Sequence, residues 1–121
     1  MKRDMNLVRS ILLALEQHEH GHAPDKLKIE GFSDEQIGYH IYLMGQANLL
    51  KVANINSCDS LSPTAIPIGI TWEGYEFLEM AREPSMWKRA VEKVTSTGGT
   101  MTIDILKTVL AALAKQSLGL T

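Results

Sequence analysis

Four groups of residues have types and spacings that invite a chemical reading. His18, His20 and His22 alternate with Glu19 and Gly21, and imidazoles this close can chelate a borderline ion such as zinc or nickel. The spacing is nonspecific, and the segment reads better as a solvated helix end, where His18 favours the negative terminus when protonated. Glu76, Glu79 and Glu83 are close, but paired-carboxylate chemistry needs one shielded acid and one ionised partner across a cleft, whereas these share a solvated stripe. Ser96-Thr97-Gly98-Gly99-Thr100 precedes a helix, yet it lacks the Lys, the loop length and the buried strand of a phosphate-binding loop. Cys58 has no His or cation nearby in sequence to activate it, and no Ser stands in a Gly-x-Ser-x-Gly elbow. The expectation is a chain with no catalytic, metal-binding or cofactor-binding residues, and so not an enzyme.

Recognition is the remaining possibility. Tyr39, Tyr42 and Gln46 fall on the outward face of one helix with Glu35 and Gly38, and neither Lys nor Arg occurs from Ser33 to Leu50 or from Val52 to Thr71. Duplex binding depends on cations near phosphates and on Arg, Lys, Asn or Gln at base edges. A groove would meet tyrosines and a carboxylate, with Asn54 and Asn56 as polar contacts. Lys2, Arg3 and Arg9, with Lys26 and Lys28, are the cations available for phosphate contacts. Uncharged tyrosine-bearing faces suit protein partners better, because a two-torsion aromatic side chain buries much area at little entropic cost. His40, at the edge of the buried stripe of the same helix, reads as a hydrogen-bonded residue at the core margin.

The composition narrows the setting. The 121 residues are 45% apolar, with twelve Lys and Arg against fourteen Asp and Glu, a net charge of −2 and one Cys. A chain of this length can bury a core without disulfides or a structural metal. A single thiol points to a reducing compartment, hence the cytoplasm. The longest apolar run, Val109 to Ala114, is far short of the roughly 20 residues that span a bilayer, so no membrane association is expected. The near-neutral balance argues against an electrostatic nucleic-acid binder.

The elements that must position these residues follow from hydrophobic period and punctuation. Met5, Val8, Ile11, Leu12 and Leu15 predict an amphipathic helix from Asp4 to about Gln17. Lys26 to Glu30 alternates apolar and charged residues, which predicts a short strand. Ser33 and Gln36 have capping-box spacing, and Ile37, Ile41 and Met44 form the stripe of a second helix that ends near Asn48, a residue tolerant of left-handed geometry. Leu49 to Ile55 and Ala65 to Thr71 predict a hairpin around a polar loop. Pro67 has no amide hydrogen, which places its strand at an edge or turns that position outward. Thr71 caps a third helix with Gly74, Phe77, Leu78 and Ala81 on one side. Helices Met86 to Val94 and Thr102 to Leu118 complete the chain, the last with an apolar surface wide enough to touch two partners.

Helix, short strand, helix, hairpin and closing helix is the winged-helix order. The segments Met1-Lys2-Arg3-Asp4-Met5-Asn6-Leu7-Val8-Arg9, Ile37-Gly38-Tyr39-His40, Ile70-Thr71-Trp72-Glu73-Gly74-Tyr75-Glu76-Phe77-Leu78 and Ile105-Leu106-Lys107 resemble a family of small bacterial and phage-borne proteins of unknown function. The chain is also more distantly similar to the YjcQ-like winged-helix proteins, which implies the fold and no activity. The resemblance carries over no functional residues. Two departures stand out. Only Ala23 to Phe32 separates the first helix from the recognition helix, and Tyr75 follows the Trp-Glu-Gly segment where the family more often has His.

The combined expectation is an α+β fold. A winged-helix-like domain with a two-stranded wing occupies residues 1–83, and residues 84–121 form two extra helices that pack on it or on a second subunit. Function divides between a protein-interaction or adaptor module acting through Tyr39, Tyr42, Gln46, Asn54 and Asn56, and a DNA-binding regulator using Lys2, Arg3 and Arg9. The last helix would make the contact of a homodimer.

Overall fold

The computed structural model describes residues 1–18, 27–55 and 63–120. Its elements run α1 (Met5–Glu16), α2 (Asp34–Gln46), β1 (Leu50–Ile55), β2 (Thr64–Ile70), α3 (Trp72–Ala81), α4 (Pro84–Ser96) and α5 (Ile103–Leu118). The fold is therefore α+β, with β1 and β2 antiparallel. The chain divides into two compact units, Met1–Tyr75 and Glu76–Thr121.

Local chemistry sets the helix ends of the first unit. Asp4 Oδ1 accepts from the Asn6 and Leu7 amides at 2.8 and 3.3 Å, which satisfies two orphan donors at the start of α1. At α2 the capping box is complete: Ser33 Oγ accepts from Gln36 N at 3.1 Å, and Gln36 Oε1 accepts from Ser33 N at 2.8 Å. The helix closes in a Schellman turn with Asn48 at φ +62°, its amide bonded to Gly45 O and that of Leu49 to Met44 O. Met5, Leu7, Val8, Ile11, Leu12 and Leu15 from α1 and Ile37, Ile41 and Met44 from α2 are buried. Both helices pack on the hairpin and on each other.

The segment expected as a short strand at Lys26 to Glu30 does not form one. Residues 27–29 have no regular structure, Glu30 and Gly31 turn, and Phe32 N bonds back to Ile29 O at 3.2 Å. Gly31 at φ +90° makes that reversal without steric cost. Lys26 lies outside the described residues.

Pro67 meets one of the two placements expected of it. The ladder steps from Lys51↔Gly69 to Val52↔Pro67, so Ile68 is an extra residue in β2, a one-residue bulge beside the proline. A bulge is a place where a strand tolerates the missing amide. Pro67 is buried rather than outward, and Ile66 and Ile68 are 44% and 47% exposed. Ile66 shares the outer face with Ala53, its ladder partner, which is also exposed. Among the described residues the sheet has two strands, both of them edges, so the edge placement holds.

In the second unit α4 pairs with α5, and the Phe77 and Trp87 rings meet edge to face at 6.0 Å and 84°. Ala81, Trp87, Ala90 and Val94 are buried with Leu106, Leu110 and Leu113 of α5. Glu83 is exposed, as expected, but lies beyond the end of α3. Its carboxylate caps α4, accepting from Ser85 N at 3.1 Å and Met86 N at 2.7 Å, with Pro84 in the first turn, where its missing amide costs nothing. Thr102 Oγ1 caps α5 through Ile105 N, and Gly119 at φ +73° closes it.

Candidate functional site

The exposed side of α2 is organised by two aromatic rings. Tyr39 and Tyr42, one turn apart, are half-buried and lie nearly parallel, with centroids 6.3 Å apart and planes 21° from each other. Gln46 is exposed and donates from Nε2 to the Tyr42 hydroxyl at 3.1 Å. The three residues thus form one connected surface. Gly38 does not belong to it. A Cβ at Gly38 would lie 3.1 Å from Thr64 Cγ2, and one at Gly45 would lie 2.5 Å from Val52 Cγ2, so α2 meets the hairpin through glycines at the spacing of two turns.

His40 turns the other way. It is 2% exposed and its ring meets Tyr39 edge-on at 6.3 Å. Nδ1 lies 2.8 Å from Gln36 O, and Nε2 accepts from the backbone amide of Asp4 at 2.8 Å. This bond joins the start of α1 to the middle of α2. Lys2 and Arg3, both exposed, directly precede Asp4 in the chain. Arg9 is half-buried on α1.

Other expected residues are spread out. Asn54 pairs in the ladder with Ala65. Asn56, Cys58, His20 and His22 lie outside the described residues, and His18 is exposed beyond the end of α1. Among the described residues no three His, Cys, Asp or Glu side chains are grouped to hold a metal ion. No helix among them is long and apolar enough to cross a membrane.

A second set of exposed apolar side chains was not anticipated. Besides Ile66 and Ile68, the first unit exposes Trp72 at 77% and Tyr75 at 42%. The outward turn of the isoleucines depends on the bulge. Trp72 and Tyr75 could have been found on a helical wheel, because Gly74, Phe77 and Leu78 define the buried side of α3 and leave them off it.

The family model described as hypothetical protein (DUF2513) matches residues 2–100. The chain belongs to the DUF2513 family. An uncharacterized protein of Haemophilus influenzae is 31% identical over 121 residues, covering 98% of this chain and 99% of the relative. No solved structure matches the chain. The DUF2513 match takes in α1 to α4 and both strands, and therefore the α2 surface, the His40 contact and the exposed hairpin face.

Proposed function

We propose that this chain is a non-enzymatic protein-interaction module of the cytoplasm. In this reading residues 1–83 are a winged-helix-like domain, akin to the YjcQ-like proteins, and residues 84–121 are its helical extension. The observation that supports it most is the exposure of Ile66, Ile68, Trp72 and Tyr75 in one unit. Large apolar side chains left in water mark a contact surface where they form a contiguous patch. The Tyr39, Tyr42 and Gln46 surface adds an uncharged aromatic face of the kind that protein partners bury. The resemblance to small bacterial and phage-borne proteins adds a phage origin to this reading and no activity. A homodimer through α5 is the favoured assembly, since Ile105 and Leu118 remain exposed on it. A monodisperse monomer at high micromolar concentration by light scattering would remove that assembly.

DNA binding is the second reading, and one observation favours it: the His40 contact ties Asp4, the residue that follows Lys2 and Arg3 in the chain, to α2. A photo-crosslinking residue placed at Trp72 or Ile68 in cells, with one at Glu92 as control, tests the first reading. A discrete protein adduct at the first two positions, lost when Ile66 is changed to Ser, supports the module. Nucleic-acid adducts, or binding of labelled duplex that weakens log-linearly with salt, would replace it with the regulator.

A further inference from the structure

We propose that the solvent-facing stripe of α5 docks antiparallel on the same stripe of a second copy of this chain, with Asp104 of each copy paired to Lys115 of the other. The inference rests on the homodimer reading above and gives that dimer its face, its direction and its pairing.

The two sides of α5 differ. Leu106, Leu110 and Leu113 form its buried side, and α4 packs on the helix. At about 3.6 residues per turn, Asp104, Thr108, Ala111 and Lys115 fall along one line on the opposite side. Asp104, Thr108 and Lys115 are exposed and Ala111 is half-buried. Ile105, 43% exposed, and Leu118, 72% exposed, flank this line. The Thr108 hydroxyl donates to Asp104 O at 3.0 Å within the helix, so the line presents no unmet hydroxyl donor to a docked surface.

The stripe is its own complement. Asp104 near its start and Lys115 near its end share one side of the helix, roughly 16 Å apart along the axis. Turned end for end against a second copy, Asp104 meets Lys115 and Thr108 meets Ala111, because both pairs are centred on the same point of the helix. A parallel pairing would instead set Asp104 against Asp104 and Lys115 against Lys115. Among the described residues neither charge has an ion-pair partner within its own chain, so both are available to a second copy. The small side chains of Thr108, Ala111 and Ala112 at the centre let the two axes approach closely. Ile105 and Leu118 supply apolar area at the flanks. Exposed ion pairs add little energy but fix direction and partner, and that is the part assigned to Asp104 and Lys115. The two-fold arrangement makes each contact twice and closes on itself, so assembly stops at two copies.

The test is sedimentation of the full chain at high micromolar concentration beside three variants. Asp104→Lys and Lys115→Asp each bring like charges together twice per dimer, and each should weaken dimerisation roughly tenfold. An equal mixture of these two variants restores opposite charges at both contacts and should regain most of the dimer. Thr108→Arg crowds the centre while leaving both charges in place, and it should also yield monomer. Circular dichroism should show unchanged helix content in all three, since each position faces solvent. A full chain that stays monomeric overturns the homodimer reading and this pairing together. A dimer that the three variants leave intact, or that the mixture fails to regain, overturns the pairing alone and leaves the dimer standing.

Discussion

The hydroxyl of Thr71 donates to the backbone carbonyl of Asn48 at 2.5 Å and accepts from the amide of Gly74 at 3.0 Å. One side chain therefore ties the turn that ends α2 to the first turn of α3. The Thr71 amide adds a bond to Leu49 O at 3.1 Å, so both ends of the hairpin meet at this residue. Thr71→Val keeps the shape and removes both hydroxyl bonds. It should cost about 1–2 kcal/mol, combining a lost cap with an unsatisfied acceptor, and urea denaturation with an unchanged slope is the measurement.

Asn48 gives a prediction of opposite sign. Its φ of +62° is a left-handed conformation that a Cβ resists. Asn48→Gly should leave stability unchanged or raise it by a few tenths of a kcal/mol, whereas Asn48→Ala should lower it by about 1 kcal/mol. Equal loss in both variants would show that the Asn side chain, rather than the backbone conformation, matters there.

Two glycines differ in what blocks them. A Cβ at Gly74 would overlap the Leu49 carbonyl oxygen, which is backbone and cannot rotate away, whereas at Gly45 it would meet the Val52 side chain. Gly74→Ala should be severely destabilising, at or above about 3 kcal/mol, the upper end of overpacking costs. Gly45→Ala should cost about 1–2 kcal/mol after the gain in helix propensity. The double variant Gly45→Ala with Val52→Ala should recover part of that loss, and thermal melts of the three proteins check this.

The two tryptophans occupy opposite environments, Trp87 at 5% exposure and Trp72 at 77%. Trp72→Phe should therefore shift the emission maximum to the blue and remove most of the acrylamide-quenchable fluorescence. Trp87→Phe should do the reverse and should also weaken the fold by about 1 kcal/mol or more, because its edge contact with Phe77 is lost or altered.

Replacing both Ile66 and Ile68 by Ser should change stability by no more than about 0.5–1 kcal/mol, since both already stand partly in water. If these side chains form a contact surface, the same change should abolish the crosslink from Trp72 while leaving the melting curve nearly intact. A large drop in melting temperature would instead assign them to the core.

The α+β class and most helix boundaries are legible in the sequence, because their causes are local. The Asp4 and Thr102 caps, the Ser33–Gln36 capping box and the left-handed Asn48 act within one turn of chain. Failures occur where a local pattern has two outcomes. Alternation at Lys26 to Glu30 forms no strand in the described part, because no neighbouring strand takes up its hydrogen bonds and a turn supplies one instead. Alternation at Ile66, Pro67 and Ile68 forms a strand, but a period of two does not say which face is inward.

The amino-acid sequence by itself determined where helices begin and end, which residues carry charge and that α2 carries no Lys or Arg, since these depend on side-chain type and spacing along one turn. Tertiary structure alone decided three things. Pro67 went inward and the isoleucines outward because a bulge at Ile68 reset the register. Gly38, Gly45 and Gly74 became contact points because other segments of chain approach their backbones. His40 acquired its partner, Asp4, from 36 residues away, a hydrogen bond that no local rule contains because it exists only once α1 and α2 have packed.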